Sequence, residues 1–129
     1  MSPTTTFLDR DSAEPVFHAG ERGPLWRLQQ GLVRLDRHHG SARQAVQLAL
    51  PGDLIGIEAL CGQSYQFSAV AFMPSRLQRV AVEGRGAARE PLLQQALLQH
   101  QTRCLDMAAL RTGTVPQRIA HLLRLLGFD

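Results

Sequence analysis

The chain has 129 residues, 44% of them apolar and only 5% aromatic, which fits one domain with an aliphatic core and excludes a disordered chain. Its formal charge of +3 hides an unusual count, since all 14 basic side chains are arginine. Schiff-base, general-base and P-loop lysine chemistry are therefore excluded, and the scattered arginines form no block of the kind that marks a nucleic-acid patch.

Residues 1–14 are polar and are expected to be flexible, with no apolar signal region. No apolar run is long enough to span a bilayer, so a cytoplasmic protein without membrane contact is expected. From Val16 to Glu83 the text reads as short strands broken by glycine. Val16-Phe17-His18 and Leu25 to Gln29 are expected strands, and Gly31 ends the second. Val33 and Leu35 then alternate with Arg34 and Asp36, a half-buried strand with the aliphatics inward. Arg37-His38-His39-Gly40-Ser41 reads as a polar turn. Ala45 to Leu50 resumes with Val46, Leu48 and Leu50 inward and Gln47 outward, and Pro51-Gly52 turns the chain. Leu54 to Cys61 is too short and too apolar for its period to decide. Phe67 to Phe72 and Leu77 to Val82 are two further strands, separated by Met73-Pro74-Ser75. Strands at this spacing predict an antiparallel sandwich or barrel.

The pattern changes after Gly84-Arg85-Gly86. Pro91 can open a helix, and residues 92–111 carry no Gly or Pro. Leu93, Leu97, His100, Cys104 and Met107 repeat at spacings of four and three, the seam of a parallel helix pair. Leu98, Leu105 and Ala108 widen the apolar face, so this helix should face both the β domain and a second helix. Thr114 can cap another helix, with Pro116 in its first turn and a stripe of Ile119, Leu122, Leu123 and Leu126. Cys61 and Cys104 fit no metal or redox spacing and are expected as small packing residues.

Four motifs in this order carry a resemblance. His18-Ala19-Gly20-Glu21 and Gln30-Gly31-Leu32-Val33 look like paired glycine turns around a second strand. Leu50-Pro51-Gly52-Asp53-Leu54-Ile55-Gly56 looks like a Gly-Asp-hydrophobic-hydrophobic-Gly turn, and Pro116-Gln117-Arg118-Ile119-Ala120-His121 like the opening helix of a winged helix-turn-helix. Together they resemble the Crp/Fnr family of bacterial transcription regulators over about residues 14–127. The resemblance implies a mainly β fold with C-terminal helices. Residues 15–90 would form a double-stranded β-helix, the jelly-roll or cyclic-nucleotide-binding-like β-roll. Residues 91–112 would be the dimerisation helix, and 114–127 the first helix of a winged helix-turn-helix domain that this chain mostly lacks. A homodimer follows, with DNA reached only through that missing part and RNA polymerase as a further partner.

The effector is read from the family's phosphate cassette. Cyclic nucleotide binders place Gly-Glu at a helix start and Arg-Ser or Arg-Thr about a dozen residues later. Here Gly56-Ile57-Glu58 sets the glutamate one position late, and Phe67-Ser68 replaces the arginine pair. Cyclic AMP is therefore not expected. Nor is an iron–sulfur cluster, since residues 1–60 contain no cysteine, nor heme, since no histidine sits in a specific motif. Phe67 to Pro74 is similar to the matching strand of the family's cyanobacterial nitrogen-regulator branch, which implies a small anionic effector such as 2-oxoglutarate. Its site would be Gly56, Ile57, Glu58, Phe67, Ser68 and Arg103, with no catalytic residue and no metal. Two alternatives stay open. One is a ligand-independent dimerisation module. The other is a cupin-like metal enzyme, against which the absence of any His-x-His pair counts.

Overall fold

The computed structural model describes residues 6–82 and 89–127. The Gly84-Arg85-Gly86 break and residues 1–5 of the polar N-terminus lie outside the described residues. Six strands, β1 (Phe7–Arg10), β2 (Pro15–Phe17), β3 (Leu25–His39), β4 (Ala42–Ala49), β5 (Leu54–Ile55) and β6 (Ser68–Val80), precede two helices, α1 (Glu90–Arg111) and α2 (Val115–Leu125). All pairings are antiparallel, in the order β1-β6-β3-β4, with β2 on β6 and β5 on β3. The expected mainly β fold with C-terminal helices is the fold adopted.

Part of the N-terminal stretch expected to be flexible is a strand. Phe7–Arg10 pairs with Gln78–Ser75, and the guanidinium of Arg76 lies 4.2 Å from the Phe7 ring centroid. Two further expectations are corrected together. The segments on either side of Gly31 are one strand of 15 residues, and those on either side of Pro74 are one strand of 13. Gly31 and Pro74-Ser75 bend both strands at the same place, where the β3–β6 register shifts. Gly31 has φ +100°, and a Cβ there would lie 2.7 Å from the Ser75 Cα. Ser75 compensates the disturbed ladder, because its hydroxyl accepts the Leu32 N–H at 3.1 Å. The polar turn expected at 37–41 shrinks to Gly40-Ser41, since His38 and His39 still pair with Arg43 and Ala42.

Two apolar clusters hold the roll together. Phe17, Leu28, Val33, Ile55, Tyr65 and Leu77 form the first, with Phe17 and Tyr65 stacked at 3.7 Å between centroids. Leu25, Leu54, Leu60 and Ala96 form the second, which seats α1 on the roll. The expected outward placement of Asp36 is corrected. It is 1% exposed, with Arg34 two residues away on the same strand face, forked onto it at 2.7 and 3.0 Å.

Leu54 to Cys61 resolves into β5 and a short 3-10 helix, Ile57–Cys61. Pro91 stands in the first turn of α1 as expected. Thr114 caps α2 in a full capping box, accepting the Gln117 N–H at 3.3 Å while the Gln117 side chain accepts the Thr114 N–H at 2.9 Å.

Candidate functional site

A cavity of about 580 Å3 lies between the roll and α1. Leu35 on β3 and Val46 and Gln47 on β4 form one wall. The adjacent pair shares that wall because Leu35 pairs with Gln47 and Asp36 with Ala45, leaving Val46 as the extra residue of a bulge. This corrects the expected outward placement of Gln47. Ile57, Glu58 and Leu60 of the short helix form a second side, Phe67 a third, and Leu93, Ala96 and His100 of α1 close the fourth. The Glu58 carboxylate already accepts the Gln66 N–H at 2.8 Å.

Of the expected effector residues, Ile57, Glu58 and Phe67 line the cavity and three do not. Gly56 caps the short helix at φ +78°, where a Cβ would lie 2.7 Å from the Tyr65 ring. Ser68 is buried, with its hydroxyl accepting the Ala19 N–H at 3.0 Å and lying 3.4 Å from His38 Nε2. Arg103 is committed elsewhere. Its Nε and Nη2 donate to the two oxygens of Asp53 at 2.7 and 3.0 Å, and its Nη1 donates to Asp106 at 2.7 Å. The hydrogen bond to Asp53, with Asp106 adding to it, raises the guanidinium pKa above its ordinary value against the opposing effect of burial. Arg103 is thus not among the cavity-lining residues, its guanidinium being paired with two carboxylates.

Asp53 and Arg103 belong to a longer latch. Asp53 also accepts the Leu50 N–H at 2.9 Å, and the second oxygen of Asp106 lies 3.3 Å from His121 Nε2 on α2. One turn earlier on α1, Gln99 accepts the Leu54 N–H at 2.7 Å and donates to the Leu54 carbonyl at 2.8 Å. One turn before that, Gln95 donates to the Gly52 carbonyl at 3.0 Å and accepts from Arg27. Residues 95, 99 and 103 stand four apart, so one stripe of α1 grips the Gly52–Leu54 turn.

The expected seam divides. Leu97 and Cys104 are exposed, Leu93 is 41% exposed, and His100 reaches both the cavity and the outer face. Met107 is 9% exposed within the single chain, where α1 packs against β4 and α2, so its side chain is already covered. The expectation that Cys61 and Cys104 are packing residues is corrected, as both are exposed. Cys104 Sγ lies 3.5 Å from His100 Nε2, a contact that the i, i+4 spacing could have signalled. Val46 and Gln47 left no local sign, since they join the wall only through the bulge. Among the described residues no cluster of three or more His, Cys, Asp and Glu could hold a metal, and no helix is long and apolar enough to cross a membrane.

Residues 11–84 match the cyclic nucleotide-binding domain family. The transcriptional regulator LdrP of Thermus thermophilus is 35% identical over 118 residues, 88% of this chain and 60% of that protein. The chain therefore spans about three fifths of that relative's length. The crystal structure of a CRP-family transcriptional regulator from Thermus thermophilus superposes with a TM-score of 0.74 at 28% identity, over 91% of this chain and 62% of that one. A second regulator of the CRP/FNR family from the same organism shares the fold, with a TM-score of 0.73 at 23% identity over 96% and 66%. The chain therefore belongs to the cyclic nucleotide-binding domain family, and it is similar to transcriptional regulators of the CRP/FNR type.

Proposed function

We propose that this chain is the effector-sensing and dimerisation part of a transcription regulator, in which two copies pair along α1 and α2 leads into the DNA-binding part. It carries no catalytic role in this reading. The observation that supports it is the division of labour on α1. Leu92, Gln95, Ala96, Gln99 and Arg103 engage the chain's own β-roll. Leu97 remains 60% exposed, with Leu93 one turn before it and Cys104 two turns after it. An apolar stripe at four-three spacing left uncovered on a long helix is what a second copy buries. Burying it on a second copy also brings the partner's helix next to the cavity, so a ligand there would bear on the geometry of the pair.

Sedimentation equilibrium tests this. The expected result is a dimer, and a monomer for Leu97→Glu with an unchanged circular dichroism spectrum. A wild-type monomer at about 100 μM, well above the dissociation constant of an ordinary specific interface, would remove the reading.

A further inference from the structure

The cavity walls disagree with the ligand that the family's name suggests. A cyclic phosphate needs a cation, and a guanidinium fork is the usual one. No arginine is among the cavity-lining residues described. Phe67 puts an aromatic ring into the wall, and Arg103 is held by Asp53 and Asp106. Among the described lining residues Glu58 is the one carboxylate, which repels an anion, and Gln47, Gln63, Gln66 and His100 are the other polar side chains. The rest is dominated by Leu35, Val46, Ile57, Leu60, Leu93 and Ala96. At about 580 Å3 the space suits a small organic molecule. Desolvating a charge against such walls costs far more than burying hydrocarbon returns.

Resting on the reading above, we infer that this cavity takes an uncharged, predominantly hydrocarbon effector, and that neither a cyclic nucleotide nor a small dicarboxylate is its ligand. The aliphatic side chains of β3, β4, the short helix and α1 surround the hydrocarbon. Glu58 acts as the selectivity element, excluding acids that share the same chain.

The experiment compares probes of one length on the 129-residue chain: methyl decanoate, decanoate and decylamine, with cyclic AMP and 2-oxoglutarate beside them. Binding is read by thermal shift and by amide chemical-shift changes at Leu60, Ala96 and His100. Methyl decanoate is expected to bind at least about tenfold more tightly than decanoate at pH 7.5, the factor that about 1.4 kcal/mol of charge penalty sets. Glu58→Gln should narrow that gap. Val46→Phe, which fills the cavity from the β4 wall, should abolish binding while the dimer persists. Ala96→Phe, filling it from α1, gives an independent second test. Tighter binding of decanoate, decylamine, cyclic AMP or 2-oxoglutarate overturns the inference. So does the absence of methyl decanoate binding up to its solubility limit. A dimer that binds none of the probes removes this inference and leaves the dimerisation reading standing, whereas a monomer removes that reading itself.

Discussion

Arg103 and Asp53, fifty residues apart in sequence, form a two-point fork at 2.7 and 3.0 Å that fixes α1 to the turn after β4. Both side chains are largely withdrawn from water, at 16% and 9% exposed. Removing one partner leaves the other's charge stranded, which costs more than the pair itself contributes. Arg103→Ala should lower unfolding stability by about 2–3 kcal/mol, somewhat less than for a fully buried pair because Asp53 keeps the Leu50 N–H. Arg103→Lys should recover only part of this, since an ammonium cannot make the fork. Urea midpoints at constant slope measure both.

The far end of the same chain of ion pairs should control α2 separately. Asp106 holds Arg103 on its own helix and approaches His121 on the next. Asp106→Ala should speed amide exchange in Ile119–Leu122 by about tenfold, the effect of losing one charge-assisted hydrogen bond, while exchange in β3 and β6 stays unchanged. Hydrogen exchange read by mass spectrometry resolves the two regions. Equal acceleration in both would assign Asp106 to global stability.

The bend shared by β3 and β6 depends on Gly31. A methyl group there meets the Ser75 backbone, and φ +100° is strained for any L side chain. Gly31→Ala should cost about 3 kcal/mol, a clash and a strained backbone together, whereas Gly40→Ala, where a Cβ meets nothing within 4 Å, should cost only the strain of its positive φ. Thermal midpoints of the two variants separate the contributions.

Tyr65 gives the roll an alkaline limit. Burial raises its phenol pKa above the ordinary 10.0, with Glu58 and Glu21 adding to the rise. The folded state therefore holds the proton more firmly than the unfolded one. The associated stability is complete below pH 10, the unfolded value, and is lost as pH climbs toward the folded value. Tyr65→Phe should remove that alkaline slope and cost about 1 kcal/mol at neutral pH, because the hydroxyl donates to the Pro24 carbonyl at 2.6 Å. Denaturation at a series of pH values from about 8 upward shows whether the slope disappears.

What the sequence revealed was local. The motif glycines, the Pro91 helix start and the Thr114 capping box depend on a few neighbouring residues, so each could be read in place. Strand continuity could not, because Gly31 and Pro74 look like terminators when each is seen without the other. Their facing positions turn two breaks into one bend. The cavity was half legible. Ile57, Glu58 and Phe67 follow from the motif, but Val46 and Gln47 enter through a bulge that no period announces. Arg103 was singled out for its position on the helix. Its partner Asp53 sits in the glycine turn, and only the seating of α1 on the roll reveals the pair.

The central claim is that two copies meet along the outer stripe of α1, and Cys104 reports on it directly. In that register the two Cys104 residues face one another across the pair, within reach of a disulfide, whereas Cys61 at the end of the short helix lies off the stripe. Mild oxidation followed by peptide mapping is the measurement. The account predicts a Cys104–Cys104 linked dimer that Cys104→Ser abolishes and Cys61→Ser does not. A chain that stays unlinked, or one that links only through Cys61, would contradict it.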